Sequence, residues 1–507
     1  MPPEKTAQTE LFNADIVILG AGAAGLAAAV AAAETGFRNV ILLEKQAAPG
    51  GNTLFCEGPF AAESPVQKRH AIDAPRDYFV KEAMRWSHCK VNPRLVRAFV
   101  DKSGDTIRWL EEKGLKFYFK KLVVNETPLS WHIAEGYGPR MVSVLRQQCK
   151  DLGVSLLFKT QAKKILTGAA GKVTGVLAVI DGKELTITAG SVIIATGGFG
   201  GNKELLKKYC PEYHDGMANF GVPYNTGDGL LMAQEVGAAT IGLGTLMIDG
   251  PRPKADRGYF HSMTTIKSSV RGSDQVVEIP FSFVALEPYA IWVNKKGRRF
   301  IDEVGQMQME TGFAVNRQPD HMCYSIFDSS IRQVISEQGI NHRIGYGEDQ
   351  YRALPLPELE RELRAQADKG NLKIANSLDE MAEWMGIDPK ALATTIDEYN
   401  SACDKGYDPI FGKDRRFLLP LRTAPYYGIE CGTNYMDTVG GIKVNELMEV
   451  IDLQDNPIPG LYCAGVTAGG WEGDVYGFVL PGSASGFALN SGRIAAENAF
   501  TYVKVRN

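Results

Sequence analysis

From Ile16 to Leu19 the chain is wholly apolar, and after three spaced glycines an alanine-rich run continues to Ala33. A short apolar run, a glycine turn and a longer apolar run predict a buried strand, a tight turn and a buried helix. Val40–Leu43 repeats the strand pattern and ends at Glu44. Helices are predicted around 78–114 and 138–152. A β-meander follows over roughly 155–190, with turns at Gly168–Gly171 and at Asp181-Gly182. Ser191–Phe199 is another buried strand and closes in Gly197-Gly198. Beyond it the pattern predicts a helix at Gly229–Val236, extended segments over Val276–Trp292, and helices near 328–338, 356–369, 378–385 and 389–402. Gly460–Gly465 is a short strand with a glycine end, and Gly482–Ser485 opens a helix running through Arg493 to Ala499.

A chain of 507 residues is too long for one core and predicts two or three domains. Its formal charge of −4 offers no electrostatic reason for nucleic acid or an acidic membrane as partner. The eight cysteines include no C-x-x-C pair, and the seven histidines show no ligand spacing. Reduced thiols in a cytoplasmic protein without a metal site are therefore expected. The uncharged run 16–33 approaches membrane-spanning length. Acidic Glu10 and Asp15 precede it, however, and glycines break it, so neither a signal peptide nor a membrane span is expected.

Strand, Gly20-x-Gly22-x-x-Gly25, helix, second strand and terminal acid satisfy the context that a dinucleotide fingerprint requires. Gly20 permits the turn, Gly22 lets the backbone approach a pyrophosphate, and Gly25 lets helix and strand pack closely. The helix N-terminus then offers N–H groups to phosphate. Glu44 stands where its carboxylate would accept from ribose hydroxyls. Directly after it, Lys45 leads to Gly50-Gly51-Asn52-Thr53, a stretch suited to wrapping a second phosphate or an aromatic ring.

Seven blocks together make the pattern specific: GAGAAG (20–25), EK…PGGNT (44–53), ATGGFGGN (195–202), NTGDG (225–229), NKKGRRFIDE (294–303), DTVGG (437–441) and PGLYCAG (459–465). In these the chain resembles the FAD-dependent fumarate reductase/succinate dehydrogenase flavoprotein superfamily, which includes fumarate and urocanate reductases and the 3-ketosteroid dehydrogenases. In character it is most similar to the last of these. The resemblance implies an α/β fold: a Rossmann-type, glutathione-reductase-like FAD-binding domain with an inserted α+β capping domain. The expected boundaries are 1–265 and 425–507 for the FAD-binding domain and 266–424 for the cap. It implies non-covalent FAD, held by Gly20, Gly22, Ala23, Ala24, Gly25, Glu44, Lys45, Gly51, Asn52 and Thr53. Ala195, Thr196, Gly197, Gly198, Asp228, Gly465, Gly482, Ser483, Ala484 and Ser485 complete that set. No second fingerprint and no C-x-x-C-H is present, so electrons are expected from or to an external partner.

Such a flavoprotein exchanges a hydride with carbon while another group moves a proton on the neighbouring carbon. A dicarboxylate reductase needs cations for its substrate and an arginine for the proton. Here the position of that arginine holds Met307, the histidine before the T-x-G-G turn is Asp437, and the carboxylate-binding arginine falls near Val479. No Arg or His occurs anywhere in 426–490. A dianion would be desolvated there without compensation. The 3-ketosteroid dehydrogenases act on a neutral substrate, and residues 467–486 resemble theirs, although Leu480 replaces an expected tyrosine. The reading that follows is α,β-desaturation of a cyclic ketone, or the reverse ene reduction. Tyr476 and the 482–485 amides would polarise the ketone, Tyr435 or Tyr289 would move the proton, and Met307, Leu480, Ala484 and Asp437 would line the substrate. Asp437 is equally a candidate to cap its own turn, and Glu472 and Arg140 are further ionisable groups on segments expected near the flavin. His132 and Cys56 read as packed residues. Two rivals stand beside this: a reductase of an unsaturated acid using Arg252 or Lys254, and a non-catalytic flavin sensor or electron carrier.

Overall fold

The computed structural model describes residues 10–124, 127–256, 264–269, 276–304, 308–341, 354–477 and 479–506. The first apolar run forms strand β1 (Glu10–Leu19), the alanine-rich run helix α1 (Ala23–Thr35), and Val40–Leu43 strand β2. β1 and β2 belong to an eight-stranded sheet. In it β1 pairs in parallel with β2 on one side and with Lys183–Ile194 on the other, and Pro457–Cys463 follows in parallel. Ile16–Leu19, Val192–Ile194 and Leu461–Cys463 are almost wholly shielded from solvent. A parallel sheet covered on both faces requires such continuous apolar strands rather than alternating ones. Helix α1 is apolar nearly all round and is buried along most of its length. A Cβ at Gly492 would lie 2.2 Å from the Ala24 oxygen, which measures how closely α1 and the C-terminal helix Ser483–Arg506 approach.

The register decides where a ligand can sit. Leu19 stands level with Leu43 and with Ile194, and Ile194 level with Cys463. Gly20, Glu44, Ala195 and Ala464 therefore all leave the sheet along one edge. The carboxyl ends of such open α/β sheets are where ligands bind.

The chain divides into two compact units, 1–213 with 221–247 and 436–507, and 214–220 with 248–435. The borders differ from the expected 265/266 and 424/425. Strand Leu246–Pro253 is hydrogen-bonded to Tyr426–Thr438, so both enter the sheet of the second unit well outside those limits. That sheet runs Leu246–Pro253, Tyr426–Thr438, Cys323–Asp328, Ile291–Val293, with Lys373–Ala375 and Ala218–Asn219 also on Tyr426–Thr438. Its core includes Trp292, Phe327, Tyr399 and Tyr427.

Two elements depart from expectation. Phe281–Ala285, within the stretch expected to be extended, is a buried helix turn, because a short all-apolar run fits either state. Phe117–Val124 and Thr127–Ala134 form a hairpin where no element was expected. The helices at Tyr137–Asp151, Ser329–Gln338, Leu378–Met385 and Pro389–Lys405 follow the pattern closely. Among the described residues, no helix is long and apolar enough to cross a membrane.

Candidate active site

At the sheet edge, Gly20 takes φ +101°, and a Cβ there would lie 2.4 Å from the Ala195 oxygen. At Gly25 a Cβ would lie 1.8 Å from the Gly20 oxygen, so protein packing alone demands glycine at both places. Gly22 differs. It is the N-cap of α1, and a Cβ there would meet nothing nearer than 3.6 Å. Its missing side chain leaves the helix end bare, with Thr53 Oγ1 accepting from the Ala23 N–H at 2.9 Å. Glu44 closes the other side, accepting from the N–H groups of Ala21 (2.9 Å) and Gln46 (2.8 Å), which fixes its carboxylate at the end of β2. Thr196 Oγ1 is buried without a protein partner. A bare helix N-terminus, an open backbone at Gly22 and an orphaned hydroxyl fit a pyrophosphate-bearing ligand.

The loops around this edge are tied down by side chains. Asp437 is buried, and its carboxylate accepts from Asn225 Nδ2 (2.7 Å), Asn52 Nδ2 (2.8 Å), and the N–H groups of Thr438 (2.9 Å), Gly200 (3.0 Å) and Gly198 (3.3 Å). It thereby joins its own turn to the Gly197-Gly198 turn and to Asn52. Burial still pushes its carboxyl above the usual range. Asn52 Oδ1 also accepts from the Val222 N–H at 2.7 Å. Lys45 Nζ pairs with Asp228 (2.9 Å) and donates to Thr226 Oγ1 (3.0 Å), so these two expected cofactor residues are engaged with each other. Thr467 Oγ1 donates to the Gly197 oxygen at 3.0 Å, and Ser491 Oγ accepts from the Gly465 N–H at 2.8 Å. Asn225, Thr467 and Ser491 were given no role by sequence reasoning. Of these only Asn225 carried a signal, as the first residue of NTGDG.

The segment before the C-terminal helix brings the expected Tyr476 to the helix start. Its hydroxyl oxygen accepts from Ser483 Oγ (3.3 Å) and from the Ala484 N–H (3.4 Å), and burial pushes the phenol up to about 12. Leu480 is buried beside it in sequence, and the Leu480 oxygen accepts from the Ser483 N–H at 2.9 Å. Trp471 stacks on Phe487 with centroids 4.5 Å apart, and Trp86 Nε1 donates to the Val475 oxygen at 3.1 Å. Gly482 takes φ +78°; a Cβ there would lie 2.4 Å from the Gly58 oxygen. Ser485 Oγ donates to that same oxygen at 2.8 Å.

His132 is fully buried against Ser64 Oγ (2.6 Å), and burial lowers its imidazole to about 3, so it is neutral. Burial pushes the Cys56 thiol up to about 12, which makes it a poor nucleophile. The Arg140 side chain is exposed.

In the second unit, Tyr289 packs edge-on against Phe417 at 5.3 Å, and burial raises its phenol. Tyr435 is buried on strand Tyr426–Thr438, where its carbonyl accepts from the Phe220 N–H at 2.7 Å. Arg252 is buried and donates to Asp249 (2.8 Å) and Ser282 Oγ (3.2 Å), while Lys254 faces Glu430 at 3.6 Å. The RRFIDE stretch is built on buried charge. Arg299 donates to both oxygens of Glu303 (2.9 and 2.8 Å) and reaches Asp408 (3.0 Å); Lys413 lies 3.3 Å from Glu303. Met307 lies outside the described residues.

This edge, with its bare helix and the glycine-rich blocks that meet there, defines a flavoprotein of the FAD-binding class. The FAD binding domain family matches residues 15–477, and the chain belongs to it, within the fumarate reductase/succinate dehydrogenase flavoprotein superfamily. Its cofactor is FAD, and it is an FAD-dependent oxidoreductase of carbon–carbon double bonds. The vinyl phenol reductase of Lactiplantibacillus plantarum is 32% identical over 494 residues, 96% of each chain. The open conformation of a flavocytochrome c3 fumarate reductase superposes with a TM-score of 0.69 at 26% identity, covering 97% of this chain and 79% of that one. The 3-ketosteroid Δ1-dehydrogenase of Sterolibacterium denitrificans shares the fold with a TM-score of 0.76 at 19% identity, covering 96% of this chain and 99% of that one.

Proposed function

We propose that this chain reduces a C=C bond conjugated to an oxygen function in an uncharged substrate, a cyclic enone or a vinylphenol. One observation carries the reading: the Tyr476 hydroxyl stands at the N-terminus of helix Ser483–Arg506, in a segment with no cationic side chain. Two donors already point into the Tyr476 oxygen, so its own O–H is left to donate to a substrate oxygen. As hydride reaches the far carbon of an enone, or of the quinone methide that a vinylphenol becomes when its O–H proton is lost and its vinyl terminus is protonated, negative charge gathers on that oxygen. A phenol O–H and the positive end of a helix dipole are suited to stabilise it.

Bound FAD supplies the hydride, replenished by an external electron donor. Tyr435 and Tyr289 stay as candidates for moving the carbon-bound proton, and Leu480 and Ala484 as apolar lining. The reductive direction is favoured by the likeness to a vinyl phenol reductase, whose named substrate is likewise neutral. An unsaturated acid is disfavoured because both cations nominated for it, Arg252 and Lys254, already face carboxylates. Anaerobic mixing of the chemically reduced protein with 4-vinylphenol, cyclohex-2-enone or fumarate tests this. Reoxidation of the flavin by either neutral probe is expected. Reoxidation by fumarate alone would favour the acid reductase, and no reoxidation by any of them the sensor.

A further inference from the structure

Next to Tyr476, inside the flavin-binding unit, lies a recess walled by Ala83, Val96, Phe99, Trp471 and Leu480, with room for about one water molecule. Glu472 and Ser483 are the polar side chains that line it. Glu472 accepts from the Gly473 N–H at 3.2 Å and has an apolar wall around the rest of its carboxyl. Helices Arg76–Trp86 and Pro93–Glu112 contribute Ala83, Val96 and Phe99 to this wall, none of them titratable. The titratable group that feels Glu472 is Tyr476, which also feels Cys56. Ser483 lines the same recess and donates to Tyr476.

We propose that Glu472, Ser483 and Tyr476 form a proton relay that ends at the start of helix Ser483–Arg506 and supplies the proton consumed in the reduction. The proposal rests on the reading that Tyr476 donates to a substrate oxygen. The Glu472 O–H bond breaks, and its proton passes, through one water in the recess, to Ser483 Oγ. Ser483 gives its own proton to the Tyr476 oxygen, and the Tyr476 proton moves to the substrate oxygen, which in the same turnover gives up one proton as the second C–H bond forms, so one hydride and one proton are consumed in all. The electron pair of the reduction comes as hydride from reduced FAD, and solvent reprotonates Glu472. Burial among apolar groups pushes the Glu472 carboxyl up to about 8, so it holds its proton at neutral pH, as a donor must.

The test uses the full FAD-loaded protein and its E472Q and E472D variants. Single-turnover reoxidation of the reduced flavin by 4-vinylphenol and by cyclohex-2-enone is followed from about pH 6 to about pH 10. The wild-type rate should fall about tenfold per pH unit above about 8. E472Q should be slower by about 100-fold and flat across that range, and E472D should restore the slope. A second readout does not depend on turnover: an infrared band of a protonated carboxyl should vanish as pH rises through about 8, and be absent from E472Q. An ionised Glu472 at neutral pH, or an E472Q profile matching the wild type, would overturn the relay alone. A titrating carboxyl band with no reoxidation by either probe would remove the substrate reading and, with it, the relay's destination.

Discussion

Replacing Lys413 by Met should destabilise the second unit by more than any surface change in this chain. Lys413 and Glu303 are both fully buried, 3.3 Å apart, and Lys413 Nζ also donates to the Ala290 oxygen at 2.8 Å. With Arg299 and Asp408 they make two positive and two negative charges, summing to zero. Although burial opposes the charge on Glu303, Lys413 and Arg299 hold its carboxyl below the ordinary range. K413M leaves a net negative charge in an apolar core, a loss of about 3–5 kcal/mol. E303Q alone leaves a net positive charge and should cost a similar amount. The double variant removes one charge of each sign, so its loss should fall well short of the sum. Urea unfolding of the four proteins, followed by circular dichroism, measures the cycle. Additivity to within about 0.5 kcal/mol, or a K413M loss below about 1 kcal/mol, would refute the claim that charge neutrality holds this block.

Three further outcomes are expected. T53A removes the acceptor of the Ala23 N–H and should cost about 1 kcal/mol in thermal stability, with weaker FAD retention on dialysis. G482A places a Cβ 2.4 Å from the Gly58 oxygen at φ +78° and should cost about 1–3 kcal/mol, read by urea midpoint. His132 binds its proton at about 3 when folded and at its ordinary value when unfolded, so protonation favours the unfolded chain. Its contribution is complete above about pH 6.5 and is lost as pH falls toward about 3, and H132Q should flatten that part of the stability–pH curve, measured by denaturation at several pH values.

How much of this was legible depended on whether a residue's reason was local. β1, α1 and β2 could be read because a parallel, doubly covered sheet writes itself as uninterrupted apolar runs, and Gly25 because its crowding is set by Gly20, five residues away; Gly20 was legible from the fingerprint spacing, although the group that crowds it is the distant Ala195. Phe281–Ala285 was misread because five apolar residues carry no period. The expected cap borders differ from those of the compact units because strand pairing between Leu246–Pro253 and Tyr426–Thr438 joins segments far apart in sequence. The partners of Asp437 come from three such segments, so its turn-capping role was visible as an option and its bonds to Asn52 and Asn225 were not.

The same distinction applies to the charge pattern behind the proposal of an uncharged substrate. Composition shows where arginine and histidine are missing, as in 426–490, but not whether those elsewhere are available to a ligand. Arg299, within the motif that frames Met307, is spent on Glu303 and Asp408, and Arg252 is engaged by Asp249. A buried guanidinium whose carboxylate partner lies within 3 Å gains little from exchanging it for a substrate carboxylate, because the displaced partner would then be the uncompensated charge. For these arginines, counting positive residues therefore overstates the pull on an anion. The polar chemistry left at the C-terminal segment is that of neutral donors, a phenol, a serine and a backbone N–H, and these discriminate by hydrogen bonding to oxygen rather than by charge.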